Sequence, residues 1–203
     1  MKRIPTSLLS KTTNKAVDAH LIDGVTRDLL VKTELNWATS RIEGTKRIHG
    51  NGGDIPEHSH WNWINKSPKV NLLAYRCFGI ECSDEMQGLM LVNTINHTSR
   101  FENKKGKPLI YVDYIEVAPW NLKVFTTTPS FGAIGIRLIE AAILFSQQEG
   151  FDGRVGLHSL PQSESFYEGT CYMTRGELDP LCEGLRWFEL TSQNAKKFLG
   201  NKP

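Results

Sequence analysis

Tyr111-Val112-Asp113-Tyr114-Ile115-Glu116-Val117-Ala118-Pro119, followed after a short interval by Ser130-Phe131-Gly132-Ala133-Ile134-Gly135, decides how this chain folds. The first stretch is rich in β-branched and aromatic residues and reads as a strand. The second is a turn of small residues. It opens into a helix expected over Ile134 to Glu149, where Leu138, Ile139, Ala142, Ile143 and Phe145 make most of the circumference apolar. Gly150 stands where such a helix stops. A strand, a glycine-punctuated turn and a helix start form a device for gripping phosphate. The amides of the first helical turn have no internal partners and carry a partial positive charge. Small residues let an anion reach them. The pattern implies a nucleotide-type ligand and therefore chemistry.

A further strand is expected at Gly153 to Leu160, and strand–helix–strand demands a parallel pair with a right-handed crossover. Pro161 and Gln162-Ser163-Glu164 open a short helix toward Glu168. Strands Tyr172 to Glu177 and Leu185 to Leu190 follow, then a helix from Ser192 to Leu199 behind a Thr/Ser cap. On the N-terminal side, Asn71 to Glu81 and Glu85 to Thr94 form a hairpin through Cys82-Ser83-Asp84. A polar excursion from Asn96 to Lys107 leads from it to the central strand. Residues 24–40 read as a helix on Val25, Leu29, Leu30, Leu35 and Trp37, with Thr26 as a cap. Gly44 to Pro56 reads as a mobile loop, and Glu57 to Lys66 as a short aromatic helical segment. Residues 1–22 are a polar arm or a marginal helix. The expected organisation is one overall domain. Residues 1–66 are an N-terminal helical segment and substrate-side cover, continuous with a core over 67–203. The class is mixed α/β.

The chain has 203 residues, 39% of them hydrophobic, with five tryptophans, enough for a sizeable core. Its 24 Lys+Arg against 22 Asp+Glu give a net charge of +2, which implies no broad nucleic-acid or anionic-membrane surface. No apolar run is long enough for a membrane span. No apolar segment follows the basic start, so no signal peptide is read. Cys77, Cys82, Cys171 and Cys182 are scattered and expected as reduced thiols, which points to the cytoplasm.

The order of elements and three motifs resemble the GNAT superfamily of N-acetyltransferases, over roughly Asn71 to Leu199. The strand ending Ile115-Glu116-Val117-Ala118-Pro119 resembles the family's central strand, whose backbone pairs with the pantetheine arm of acetyl-CoA. Ser130 to Gly135 aligns with the pyrophosphate loop, Gln/Arg-x-x-Gly-x-Gly/Ala. Ser130 stands where that pattern has Gln or Arg, and Ala133 where it has the first glycine. Ser163-Glu164-Ser165-Phe166-Tyr167-Glu168 resembles the late helix, where a tyrosine lies near the departing thiol. The resemblance implies a central, mostly antiparallel mixed sheet with one parallel strand pair splayed around the cofactor and helices on both faces. It implies acetyl-CoA as acyl donor, held by Ile115, Val117, Ser130, Phe131, Gly132, Ala133, Ile134, Gly135 and Ile136. It implies direct transfer to an amine in a ternary complex. The acceptor is a small molecule or a protein amine, with no membrane partner, and a homodimer is left open. A GNAT-fold binding module without catalysis is the alternative that Ser130 and Ala133 motivate.

Acetyl transfer needs a polarised thioester carbonyl, a deprotonated amine and a proton for the leaving thiolate. Backbone amides around Val117 supply the first. The resemblance makes Tyr167 the acid, with packing under the cofactor as its other reading. Asp113 and Glu116 are the candidate bases, on opposite faces of the strand unless a bulge intervenes. Glu116 lies nearer the reacting end, and a structural ion pair is the other reading for either. His58, His60, Cys77 and Cys82 lack the spacing of a metal site, and none is expected. His58, Trp61 and Trp63 read as packing residues or as lining of the acceptor side, and His158 as a second base or a buried, hydrogen-bonded residue. Asn121 and Lys123 face solvent or phosphate.

Overall fold

The computed structural model describes residues 1–101 and 106–200. The strands are β1 (Lys2–Ser10), β2 (Ala16–Asp23), β3 (Tyr75–Cys82), β4 (Glu85–Asn93), β5 (Ile110–Val117), β6 (Phe131–Gly132), β7 (Val155–Ser159), β8 (Thr174–Asp179) and β9 (Leu185–Leu190). They make one sheet in the order β6-β1-β2-β3-β4-β5-β7-β9-β8. The helices are α1 (Arg27–Gly50), α2 (Trp63–Lys66), α3 (Ile134–Gln148) and α4 (Ser192–Gly200). Two compact units divide the chain. One is Met1–Met90 with Ile115–Arg137, the other Leu91–Tyr114 with Leu138–Pro203, so the division passes through β4, β5 and α3.

In the first unit, the opening residues are neither an arm nor a helix. β1 and β2 form an antiparallel hairpin from Lys2↔Asp23 to Leu9↔Ala16, and β2 continues onto β3. Ala19 and Ile22 of β2 and Leu8 of β1 reach the core. Ser83 and Asp84, at φ 54° and 60°, make the turn between β3 and β4, while Cys82, expected in that turn, ends β3. The cap expected at Thr26 is present, its hydroxyl accepting from Leu29 N–H. The helix behind it runs past its expected end at residue 40 and into the expected loop, to Gly50. Its buried face is Leu30, Glu34, Trp37, Arg41, Gly44 and Ile48, a 3–4 spacing that carries two charged residues inward. Gly44 lets α1 approach Phe125: a Cβ there would meet Cδ1 at 2.6 Å.

In the second unit, β5 and β7 form the expected parallel pair, with Ile110 opposite Val155 and Tyr111 opposite Gly156. β7 pairs antiparallel with β9, and β9 with β8, where the register shifts between Arg175 and Leu178. Leu138, Ile139, Ala142 and Ile143 of α3 are buried, as are Leu157, Phe188 and Leu190. Thr191 caps α4, its hydroxyl accepting from Asn194 N–H. Four residues of the polar excursion, 102–105, lie outside the described residues. All four cysteines are free. Among the described residues no helix is long and apolar enough to cross a membrane.

Candidate active site

Glu116 sits at the end of β5 in the first unit, 4% exposed. A buried carboxylate survives only with partners. Glu116 Oε1 accepts from Arg41 Nη2 at 3.0 Å, and Oε2 from Trp63 Nε1 at 2.7 Å. Glu34 mirrors it. One oxygen accepts from Arg41 Nη1 at 2.6 Å, the other from the backbone N–H of Trp63 at 2.8 Å. Arg41 and Trp63 thus each bridge both carboxylates, and all four oxygens are engaged. Each oxygen keeps a second lone pair for a proton.

Burial pushes the Glu116 carboxyl up to about 7, against the opposing pull of Arg41 and the Trp63 indole. Burial works against the Arg41 charge, but Glu116 and Glu34 outweigh it and hold the guanidinium protonated. His58 is lowered to about 4 by burial first, then by Arg41 and His60, so it is neutral at pH 7. It packs edge-on against Trp61 and Phe125, with centroids at 6.0 and 6.1 Å. Lys66, on α2, lies with its Nζ 5.0 Å from the Trp61 ring centre and 5.9 Å from that of Trp63. Its pKa is lowered, first by burial, with Glu116 and Glu34 pulling the other way. The aromatic segment therefore meets the β5 carboxylate through Trp63. Glu34, Arg41 and Lys66 are members of this cluster that the sequence reading missed.

The turn before α3 is only partly free to bind an anion. Ser130 C=O accepts from Lys11 N–H at 2.9 Å, and Phe131 N–H donates to Asn121 Oδ1 at 2.9 Å. β6 pairs with β1 through Leu9↔Gly132 and Ser10↔Phe131. The Phe131 amide is thus already engaged within the fold. Asn121 is corrected from a solvent or phosphate residue to a buried bracket, its Nδ2 donating to Gln87 Oε1 at 2.8 Å. Lys123 is exposed.

Ala133 follows at φ 69°, the left-handed region where the family pattern has glycine. Its carbonyl accepts from Arg137 N–H, so the helix starts there and the amides of Ile134, Gly135 and Ile136 are its first-turn donors. A cation also stands beside this loop. A Cβ on Gly132 would lie 2.6 Å from Lys11 Cε and 3.0 Å from Nζ. Lys11, in the turn between β1 and β2, was not anticipated. Ala133→Gly is expected to raise stability by up to about 1 kcal/mol, because relief of left-handed strain exceeds the entropy that glycine adds. A shift of the urea midpoint to lower concentration would contradict this.

The other candidate residues lie in the second unit. Asp113 is half-buried and acts electrostatically on Tyr111 and His97. Tyr111 stacks on His97 with centroids 4.1 Å apart, and its hydroxyl lies 2.8 Å from His158 Nδ1. His158 Nε2 is 3.1 Å from Asp179 Oδ2, an oxygen that also accepts from Arg100 at 2.8 Å. Both ring nitrogens of His158 thus have partners, which fits the reading as a hydrogen-bonded residue, and burial lowers its pKa. His158, Asp179 and Cys182 bring three ligand-type atoms within 4.8 Å of one another. Arg100 already neutralises the carboxylate such an ion would need. Tyr167 lies in a π-helical turn, Phe166–Thr170, packed against Phe166 and Phe188. Burial pushes its pKa up, which keeps the phenol protonated.

No family model and no curated protein sequence matches this chain. Solved structures do. The GNAT domain of PAT from S. lividans matches with a TM-score of 0.55 at 10% identity, over 93% of this chain and 96% of that one. The PaiA N-acetyltransferase of Thermoplasma acidophilum, solved in complex with coenzyme A, matches with a TM-score of 0.50 at 12% identity, over 83% and 97%. The fold is that of the GNAT superfamily: a mixed, mostly antiparallel nine-stranded sheet with one parallel pair.

Proposed function

We propose that this protein is an N-acetyltransferase that moves an acetyl group from acetyl-CoA to an amine. The observation that carries the reading is Glu116: a buried carboxylate at the end of β5 with its pKa pushed up to about 7. A carboxyl poised there takes a proton at neutral pH and still gives it up, as a general base for an amine must.

The backbone of Ile115 and Val117 flanks Glu116 and would hold the pantetheine arm and thioester. The diphosphate would lie against the amides of Ile134, Gly135 and Ile136, with Lys11 as counter-charge. Lys11 offsets the loss of the Gln or Arg that Ser130 replaces. Glu116 would take the amine proton through a free lone pair. Tyr167 and Asp113, both in the second unit, stay candidates from the resemblance alone, the first for the proton donor to the thiolate and the second for the base. Transfer is direct in this reading, since burial pushes the thiols of Cys77, Cys171 and Cys182 away from the lowered pKa of a nucleophile. Cys77 and Cys171 are buried with thiols pushed up, Cys171 to about 12.

Calorimetry with acetyl-CoA, followed by thiol release in the presence of a panel of amines, tests the reading. Binding with amine-dependent release supports it. Binding without release on any amine would favour the non-catalytic module, and no binding would remove both. Lys11→Ala is expected to weaken acetyl-CoA about 3- to 10-fold, the scale of one partly screened charge on phosphate, and less at high salt. An unchanged affinity at low salt would exclude Lys11 from the site.

A further inference from the structure

We propose that Lys66 is itself an acetyl acceptor, so that the protein modifies its own α2 lysine. The inference rests on the acetyl-CoA reading above and extends it to a modification site. Three features of the first unit carry it. Lys66 Nζ lies over the faces of both Trp61 and Trp63, at 5.0 and 5.9 Å from the ring centres. Trp63 has no solvent exposure, and its indole N–H is fixed to Glu116 Oε2 at 2.7 Å. The ammonium, one indole and the carboxylate thus form a contiguous chain that ends on the strand segment Ile115–Val117, against which the thioester would lie. Glu34 is tied to the same tryptophan through its backbone N–H.

This is how an enzyme for amines presents a cationic acceptor: aromatic faces for the ammonium, and a carboxylate to draw off its proton. Lys69 also stands on one ring, that of Tyr75, at 5.1 Å. In it the same cation–π contact occurs without a tryptophan that reaches Glu116. Burial lowers the pKa of Lys66, which raises the share of free amine at neutral pH.

The step balances simply. The Lys66 ammonium gives up one proton by way of solvent, toward Glu116, whose charge acts on it. The nitrogen lone pair forms the C–N bond to the thioester carbonyl carbon, and the C–S bond breaks. The sulfur leaves with the bonding pair, and the second proton shed by the new amide nitrogen balances the departing thiol. The product is a neutral acetyl-lysine and free CoA. Modification removes a cation from beside Glu34 and Glu116.

The experiment incubates the full chain with acetyl-CoA and measures intact mass and peptide masses over time, with binding heat measured in parallel. The expected result is one acetyl group on Lys66, added at least about tenfold faster than to the same lysine in urea-unfolded protein, the least a positioned reaction should give. It should be absent in Lys66→Arg and retained in Lys69→Arg. Binding heat with no acetyl at Lys66, or with acetyl spread over exposed lysines at the unfolded rate, overturns the inference and leaves the transferase reading standing. Absence of binding overturns both.

Discussion

Arg41→Ala is expected to cost about 3–5 kcal/mol of folding stability, because it leaves two carboxylates buried without their shared cation. The side chains of Glu34, Arg41 and Glu116 are 3%, 7% and 2% exposed, so solvent cannot take over the lost contacts. Arg41→Lys should recover only part of the loss. One ammonium cannot present two separate donor edges to Glu34 and Glu116 as the guanidinium does. Urea denaturation read by tryptophan fluorescence measures both variants, and Trp63 lies inside the network. A cost under about 1 kcal/mol for Arg41→Ala would mean that Arg41 is not what compensates the buried acids in the folded protein.

The same physics says that such a network is a poor way to gain stability. Buried ionic triads replaced by apolar residues of similar volume are often neutral or stabilising. A chain selected for stability alone would fill this space with leucine and methionine, as β4 does with Leu89, Met90 and Leu91, all fully buried. Its presence beside the strand segment proposed to hold the thioester is therefore best explained by chemistry. The carboxylates fix Trp63, and burial, opposed by Arg41 and the Trp63 indole, pushes the Glu116 carboxyl up to about 7. A combined Glu34→Leu, Arg41→Met, Glu116→Leu protein separates the two explanations by folding without transferring.

These features were unevenly legible in the sequence. The hairpin β3–β4, the central strand, the turn into α3 and the parallel crossover could be read because each has a local signal: turn residues, β-branched runs, an apolar helix. The candidate base was narrowed to Asp113 and Glu116 as the carboxylates of the central strand, and strand alternation put them on opposite faces. α1 was read short because its inward face carries Glu34 and Arg41, where a pattern search expects apolar residues. Leu35, which such a search counts as core, is 64% exposed. The β1–β2 hairpin was missed because its outer half is exposed and it carries Pro5 within a strand. Lys11 and Asn121 act on the turn before α3 from elsewhere in the chain, and no spacing rule links Lys11 to Gly132. Such long-range partners are set by sheet pairing, here β6 on β1, which a single sequence does not encode locally.

The strongest test of Glu116 is the pH dependence that Glu116→Gln should erase. In the folded protein the carboxyl titrates at about 7, above its ordinary 4.5. A raised pKa means that the fold favours the protonated form. Its contribution to stability is complete below pH 4.5 and is lost as pH rises toward 7 and through it. Over that window the unfolded chain has released the proton and the folded one has not, which amounts to about 3 kcal/mol. With the side chain 2% exposed, little of this is lost to solvent screening. Glutamine carries no proton to lose, so the difference between wild type and Glu116→Gln should slope across pH 4.5–7 and flatten above it. The slope is the readout. The absolute stability of the variant also includes a misfit, since its amide NH2 must face either Arg41 or Trp63. Transfer to an amine should show the complementary curve, rising through about pH 7 in the wild type as the base deprotonates. In Glu116→Gln the rate should fall about 10²- to 10⁴-fold, the usual worth of a positioned base, and lose that rise. Parallel stability curves for the two proteins, or a Glu116→Gln enzyme that keeps the wild-type pH profile, would reduce Glu116 to a structural ion-pair partner of Arg41.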